Sequence, residues 1–200
     1  MTVDERDLLP DPLAQFRRWY EEAVAAGLDL PEAMTLATAD ADGRPSARTV
    51  LLKGVDERGF LFFSNYESRK GAELAANPRA ALVFHWAQDP RRQVIAAGTV
   101  KRLDEHESEE YFRTRPLGSR LGAWASRQSE PIADRAALER AYAEAEERHG
   151  DDPPLPPWWG GFVLVPDRLE FWQNRPNRLH DRFRYLRDEQ DGWRLERLAP

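Results

Sequence analysis

From Pro12 to about residue 26 the apolar positions keep a helical spacing, with Asp11 where an N-cap belongs, Pro12 at the first helical position and Gly27 closing the run. From Met34 the pattern shortens to β-type runs. MTLATAD, SARTVLLKG and FLFFSN, separated by turns at Asp42–Gly43 and Glu57–Arg58–Gly59, predict a meander of antiparallel strands. Ser68 is placed to cap a short helix reaching Ala76, which Asn77–Pro78 ends. RAALVFHW and RRQVIAAGTVKRL then predict two strands around an Asp89–Pro90 turn. Asp104 followed by Glu107 has the form of a capping box for a helix to about Thr114, and LGSRLGAWAS and the run from Asp134 to His149 also read as helical. Beyond the stiff, proline-rich connector 152–157 come GGFVLV, RLEFWQ, RFRYLR and WRLERLAP, further strand candidates at regular spacing. The expectation is one domain over 1–200, α+β and predominantly antiparallel β. It has an N-terminal helix at about 12–26, barrel strands from about 34, a helical insert at about 104–149 and C-terminal strands over 161–200.

Composition narrows the chemistry. The 200-residue chain has no cysteine, which excludes disulfides, thiolate nucleophiles and Cys-based metal or Fe–S sites. Its four histidines, His85, His106, His149 and His180, have no metal-pair spacing, so no metal is expected. A net charge of −6 argues against a nucleic-acid partner. Nothing reads as a leader or a membrane span, so a cytoplasmic protein without a membrane partner is expected. Cations nevertheless gather at Arg48, Lys53, Arg69–Lys70, Arg91–Arg92, Arg113, Arg115 and Arg178 to Arg182, and local positive pockets on an acidic body suit small anions.

Among candidate chemical groups, EFWQ followed by RLHDR is the most informative stretch. If the second part is extended, Arg178, His180 and Arg182 share one face beside the flat wall of Trp172, a pocket for a planar, phosphorylated ligand. Arg69 and Lys70 in a first helical turn oppose the macrodipole, a penalty a bound phosphate would remove; two solvated cations are equally compatible. Arg48 and Lys53 bracket an apolar strand at an odd separation, which sends them to opposite faces unless a bulge or a second subunit intervenes. Tyr111, Arg115 and Ser119 recur every four residues but are broken by Pro116, and serve either as a phosphate clamp or as caps. Gln93, inside an apolar strand, and Gln128–Ser129, at a helix end, are amides and hydroxyls at places where they often serve only as caps or buried hydrogen-bond partners. No catalytic-triad elbow, P-loop or dinucleotide-binding glycine turn is present, so redox work at such a site needs a cofactor.

Several long motifs in order carry a resemblance: RTVLLK (48–53), FFSNYESRKG (62–71), RQV (92–94), YFRTRPLGS (111–119), LGAWASRQS (121–129), WWGGF (158–162), EFWQNRPNRLHDR (170–182) and the terminal ERLAP. From about Asp7 to Pro200 the chain resembles the pyridoxine/pyridoxamine 5′-phosphate oxidase family. The resemblance implies a Greek-key split β-barrel homodimer with FMN at the subunit interface. It places Arg48, Ser64, Arg69 and Lys70 around the flavin phosphate and ribityl chain, with Phe63 also in the flavin site, and backbone groups of Thr49, Val50 and Leu51 near the ring. Gln93, Gln128, Ser129, Trp172 and Arg182 complete the flavin site. Lys53, Tyr111, Arg115 and Ser119 are implied to hold the substrate phosphate, and Arg178 and His180 to cover the substrate ring as the catalytic pair.

The chemistry implied by the resemblance is oxidation of pyridoxamine or pyridoxine 5′-phosphate to pyridoxal 5′-phosphate, with hydride passing from C4′ to flavin N5 and dioxygen returning as hydrogen peroxide. A related split-barrel flavin oxidoreductase acting on another substrate, such as a phenazine-type precursor, and a non-catalytic flavin- or pyridoxal-phosphate-binding protein are the alternatives.

Overall fold

The computed structural model describes residues 4–88 and 90–200; Asp89, half of the turn expected at Asp89–Pro90, lies outside them. Helix α1 (Pro12–Ala25) begins as the sequence predicts, with the Asp11 carboxylate accepting from the Leu13 and Ala14 amides. Its buried stripe, Leu13, Phe16, Trp19 and Ala23, seals the core. Phe16 lies 4.8 Å from Phe60 and 4.7 Å from Phe84, and Trp19 meets Phe171 edge-on at 5.2 Å. Burying such rings contributes roughly 1.5–3 kcal/mol each before entropy is counted.

The strands are β1 (Ala33–Ala39), β2 (Pro45–Leu51), β3 (Gly54–Val55), β4 (Phe60–Asn65), β5 (Arg79–Trp86), β6 (Arg92–Arg102), β7 (Trp159–Gln173), β8 (Asp181–Arg187) and β9 (Trp193–Arg197). They pair antiparallel in the order β2-β1-β5-β6-β7-β4-β3, with β8 joined to β7 and β9 to β8. In a flat sheet the first and last strands of that path would stand about 30 Å apart. Only Leu52 and Lys53 separate β2 from β3 in sequence, a reach of about 11 Å, so the sheet must curl until its ends approach. A partly closed barrel results.

Strand β7 divides it. One edge pairs with β6 along nearly its whole length, while the other pairs first with β4 (Trp159 to Leu164) and then with β8 (Arg168 to Gln173). The sequence suggests two strands here, GGFVLV and RLEFWQ. They form one 15-residue strand, because Asp167 bulges out between Pro166 and Arg168, opposite the Ala97–Gly98 step of β6, and the pairing resumes on either side. A Cβ on Gly98 would sit 2.0 Å from the Val165 carbonyl oxygen, a backbone atom that cannot swing aside. Gly98→Ala is therefore expected to cost about 1–3 kcal/mol and to lower the melting temperature by several degrees in a thermal CD scan. An unchanged melting curve would mean that the bulge is slack.

Helix α2 (Arg69–Ala76) is capped by Ser68 as expected, its hydroxyl accepting from the Gly71 amide. The capping box at α3 (Glu105–Thr114) is only half formed. Asp104 accepts from the Glu107 amide, but the Glu107 carboxylate is engaged by Arg58 at 2.6 and 3.0 Å. Arg115 is the C-cap of α3, and Pro116 opens α4 (Leu117–Ala125). Helix α5 (Arg135–His149) packs on α4, and the proline-rich connector behind it takes the Trp124 indole N–H on the Pro154 carbonyl at 2.8 Å.

Candidate functional site

A cleft of about 830 Å³ opens where β2, the β4–α2 junction, the α3–α4 junction and the loop after α4 converge. Arg48, Thr49, Val50, Leu51, Lys53, Phe63, Ser64, Arg69, Lys70, Tyr111, Arg115, Ser119, Gln128 and Ser129 all line it. Segments as far apart as Ser46 and Trp159, 113 positions along the chain, thus meet at one surface, and every cation among them is one that the sequence singles out.

At the α2 end stands a buried charge network. The Arg48 guanidinium donates to the Leu36 carbonyl, to the Thr38 and Ser46 hydroxyls and, at 3.1 Å, to Glu73. Glu73 also accepts from Thr38, from Ser46 at 2.6 Å and from Arg69 at 2.8 Å. Burial works against its charge, but the hydrogen bonds from Ser46, Thr38, Arg69 and Arg48 prevail and hold its pKa down to about 2. Lys70 is buried, and its ammonium donates to Ser64 (3.1 Å), Ser68 (3.2 Å) and Gln128 (2.8 Å). Burial lowers its pKa to about 8, with the Arg48 cation adding to the shift and Glu73 opposing it. Three cations against one carboxylate leave this end positive on a protein of net charge −6.

The opposite wall is aromatic. Phe63 stacks on Tyr111 at 3.9 Å and on Trp159 at 5.7 Å, and the Arg115 guanidinium lies 4.5 Å over the Trp159 ring. Arg115 Nη1 is buried without a hydrogen-bond partner, and burial pushes this guanidinium below the usual arginine range. An orphaned, desolvated donor of this kind calls for an oxyanion. The donor set, five cations divided between the two ends of the cleft with hydroxyls and amides between them, fits two anionic groups held apart by a planar body.

Lys53 reaches the cleft although its odd spacing from Arg48 forbids it on a regular strand. Strand β2 ends at Leu51, the backbone turns at the buried Leu52, and the parity rule lapses within one chain, with no second subunit needed. Pro116 breaks the stripe of Tyr111, Arg115 and Ser119, yet the bend keeps all of them on the cleft.

Gln93, Trp172, Arg178, His180 and Arg182 are not among the cleft's lining residues. Gln93 faces Trp172 across the β6–β7 ladder and Trp172 faces Arg182 across β7–β8, while the His180 ring packs 4.7 Å from Trp172. Arg182 is paired with Glu170 at 2.7 Å. The extended RxHxR face is a correction: residues 176–178 form a 3-10 turn, Asn177 and Arg178 have φ of 57° and 61°, and β8 begins only at Asp181. Two successive left-handed residues break the alternation, so proximity to Trp172, not strand periodicity, unites this second group. Trp159 lies on the first cleft and Trp172 in the second group, about 40 Å apart along β7 at the ordinary rise per residue.

Thr38, Ser46 and Glu73 escape a reading of the sequence alone. Only the Arg69–Glu73 spacing of four hinted at the carboxylate, which supplies part of the neutralisation that the first-turn cations require. Among the described residues, no group of His, Cys, Asp or Glu is placed to hold a metal ion, and no helix is long and apolar enough to cross a membrane.

Comparison with known proteins gives a consistent result. Residues 20–149 match the family profile described as pyridoxamine 5′-phosphate oxidase, and residues 159–200 that of the pyridoxine 5′-phosphate oxidase C-terminal dimerisation region. The chain is 58% identical over 198 residues to a pyridoxine/pyridoxamine 5′-phosphate oxidase of Cupriavidus taiwanensis, covering 99% of this chain and 93% of that one. It is 59% identical over 201 residues to the protein of the same name from Burkholderia multivorans, covering 100% and 94%. Among solved structures, PhzG from Burkholderia lata 383, in complex with tetrahydrophenazine-1-carboxylic acid, superposes with a TM-score of 0.93 at 33% identity over 100% of this chain and 98% of that one.

Proposed function

The chain belongs to the pyridoxine/pyridoxamine 5′-phosphate oxidase family, and from that premise we propose that each active site is built by two copies, the cleft of one protomer closed by the Trp172 group of its partner. The protein is an FMN-dependent oxidoreductase of split-barrel fold that works as a homodimer. One observation carries the composite site: the expected residues fall into two groups at opposite ends of β7, too far apart to cover one tricyclic ring from one chain. Exposed Thr49 and Leu51 on the free face of β2 favour the same reading, since an oxidase pocket needs a dry wall there.

In this reading Arg48, Arg69, Lys70 and Ser64 hold the flavin phosphate and ribityl chain, with Gln128 and Ser129 beside them. Phe63 and the β2 backbone at Thr49, Val50 and Leu51 flank the ring, and the partner's Gln93, Trp172 and Arg182 complete the enclosure. Lys53, Tyr111, Arg115 and Ser119 take the phosphate of pyridoxamine or pyridoxine 5′-phosphate, the orphaned Arg115 Nη1 gaining its missing acceptor. Arg178 and His180 of the partner cover the substrate ring and orient its polar groups. Bound FMN supplies the acceptor for a hydride leaving substrate C4′, with dioxygen as the final acceptor and hydrogen peroxide as the product. Everything the side chains contribute is placement and electrostatics, which fix C4′ and exclude water.

The test is aerobic turnover. FMN-loaded protein given pyridoxamine 5′-phosphate should form pyridoxal 5′-phosphate, ammonia and peroxide in equal amounts, the imine left by hydride loss being hydrolysed by water. The structural likeness to PhzG makes a carboxylated polycyclic substrate the second reading. Oxidation of a reduced phenazine carboxylic acid without turnover of the vitamin phosphate would establish it.

Lys70 adds a pH dependence. Free in the cleft its pKa is about 8, so the ammonium that attracts the flavin phosphate is lost as pH rises through that value. The flavin phosphate is already dianionic above about pH 7, its second pKa being ~6. Affinity of the apoprotein for FMN is therefore expected to fall by up to about tenfold per unit above pH 8, while affinity for riboflavin stays level. A flavin-fluorescence titration between pH 7 and 9.5 measures both, and Lys70→Met should flatten the FMN curve. A pH-independent FMN affinity in the wild type would contradict this role.

A further inference from the structure

The seven-residue connection from β7 to β8 carries Arg178 and His180, and its geometry is unusual. Asn177 and Arg178 both take left-handed backbone conformations, at an intrinsic cost of about 1–2 kcal/mol each for residues with a Cβ. Leu179 is 68% exposed and makes no core contact that would hold such a turn. What closes it is polar. The Arg175 guanidinium meets the buried Asp181 carboxylate at 2.6 Å, Arg197 reaches the other oxygen of Asp181 at 3.3 Å, and the Arg175 backbone N–H donates to His180 Nδ1 at 3.1 Å. The Arg175 side chain is held there even though its Nη2 lies buried without a partner.

We propose that Asp181 and Arg175 are positioning residues that clamp the 175–181 loop so that His180 offers an Nε2–H donor, and not a basic lone pair, to the substrate. This rests on the oxidase reading above. A nitrogen that accepts from an amide N–H carries no proton, so a neutral ring hydrogen-bonded through Nδ1 bears its proton on Nε2. With the ring packed on Trp172, Nε2 is the polar atom left to face a ligand. A donor there suits an oxyanion or ring nitrogen of the substrate and excludes His180 as the base in this tautomer. The Arg175–Asp181 pair acts through distance: it draws the two ends of the loop together and brings the Arg175 amide under the imidazole.

With only four histidines in the chain, two-dimensional 15N NMR of the FMN-loaded protein can read the tautomer directly, His180→Asn assigning the signal. The wild type should show the Nε2–H pattern. Asp181→Asn should keep its FMN, show His180 exchanging between tautomers, and lose about tenfold in kcat/KM for pyridoxamine 5′-phosphate; Arg175→Lys should fall between the two. An Nδ1–H pattern in the wild type overturns the proposal, as does an Asp181→Asn protein with an unmoved His180 signal and full kcat/KM. If Asp181→Asn does not fold, the wild-type signal and Arg175→Lys still decide. A wild-type protein with the Nε2–H signal but no turnover of the vitamin phosphate would instead count against the oxidase reading and leave the clamp standing.

Discussion

Arg48→Ala is expected to purify without yellow colour and to melt well below the wild type. Arg48 ties the Leu36 carbonyl, Thr38, Ser46 and Glu73 into one network at the α2 end of the cleft. In the proposed site its removal withdraws a charge-assisted contact from the FMN phosphate, an expected loss of about 1.5–3 kcal/mol or roughly ten- to a hundredfold in affinity. It also strips a buried carboxylate of one of its two cations. Breaking a buried pair outright costs about 3–5 kcal/mol; Arg69 remains on Glu73, so the lower part of that range is expected. Adding Glu73→Gln should restore part of the stability and none of the flavin affinity, because the unpaired charge disappears while the phosphate contact stays lost. Flavin-fluorescence titration and apoprotein melting measure the two effects separately. Wild-type values for both in Arg48→Ala would return this network to an ordinary surface role.

Arg115→Ala should act on substrate alone. The guanidinium rests on Trp159 with a buried, unpartnered Nη1, so the empty cleft gains little stability from it. Deleting it is expected to leave the melting temperature level or slightly raised and FMN retained, while KM for pyridoxamine 5′-phosphate rises by about ten- to a hundredfold. Arg115→Lys should recover little, since an ammonium can neither stack flat on the indole nor present two parallel donors. Activity on unphosphorylated pyridoxamine should not change. Equal losses on the phosphorylated and unphosphorylated amines would remove Arg115 from the phosphate clamp.

Much of this was legible in the sequence because it depends on local rules. Asp11 with Pro12 and Ser68 fix helix starts through caps, the short β-type runs fix strands, and the motif order brings the cations of the cleft to notice. Failures occur where tertiary pairing overrides local pattern. Pro166 and Asp167 read as a break between strands, but Asp167 alone bulges out opposite the Ala97–Gly98 step of β6 and β7 runs on. RLHDR reads as an extended face, but the clamp between Arg175 and Asp181 holds Asn177 and Arg178 in left-handed turns that no periodicity announces. Glu73 is an unremarkable helical glutamate until folding places Thr38 and Ser46, from strands in another part of the sequence, against its carboxylate. The division of the site residues into two groups was likewise hidden, because spacing along a chain says nothing about which end of a long strand meets which copy.

Subunit complementation tests that division most directly. In the proposed arrangement Arg115→Ala weakens the cleft half of a site and Arg178→Ala the covering half, so each homodimer, assayed with substrate well below the wild-type KM, should be nearly inactive. Co-expressed, the two chains form mixed dimers in which one of the two sites receives intact halves from both. The preparation should then regain about a quarter of wild-type oxidation of pyridoxamine 5′-phosphate. Activity no greater than that of the single variants would mean that each chain builds its site alone, contrary to the arrangement argued from β7.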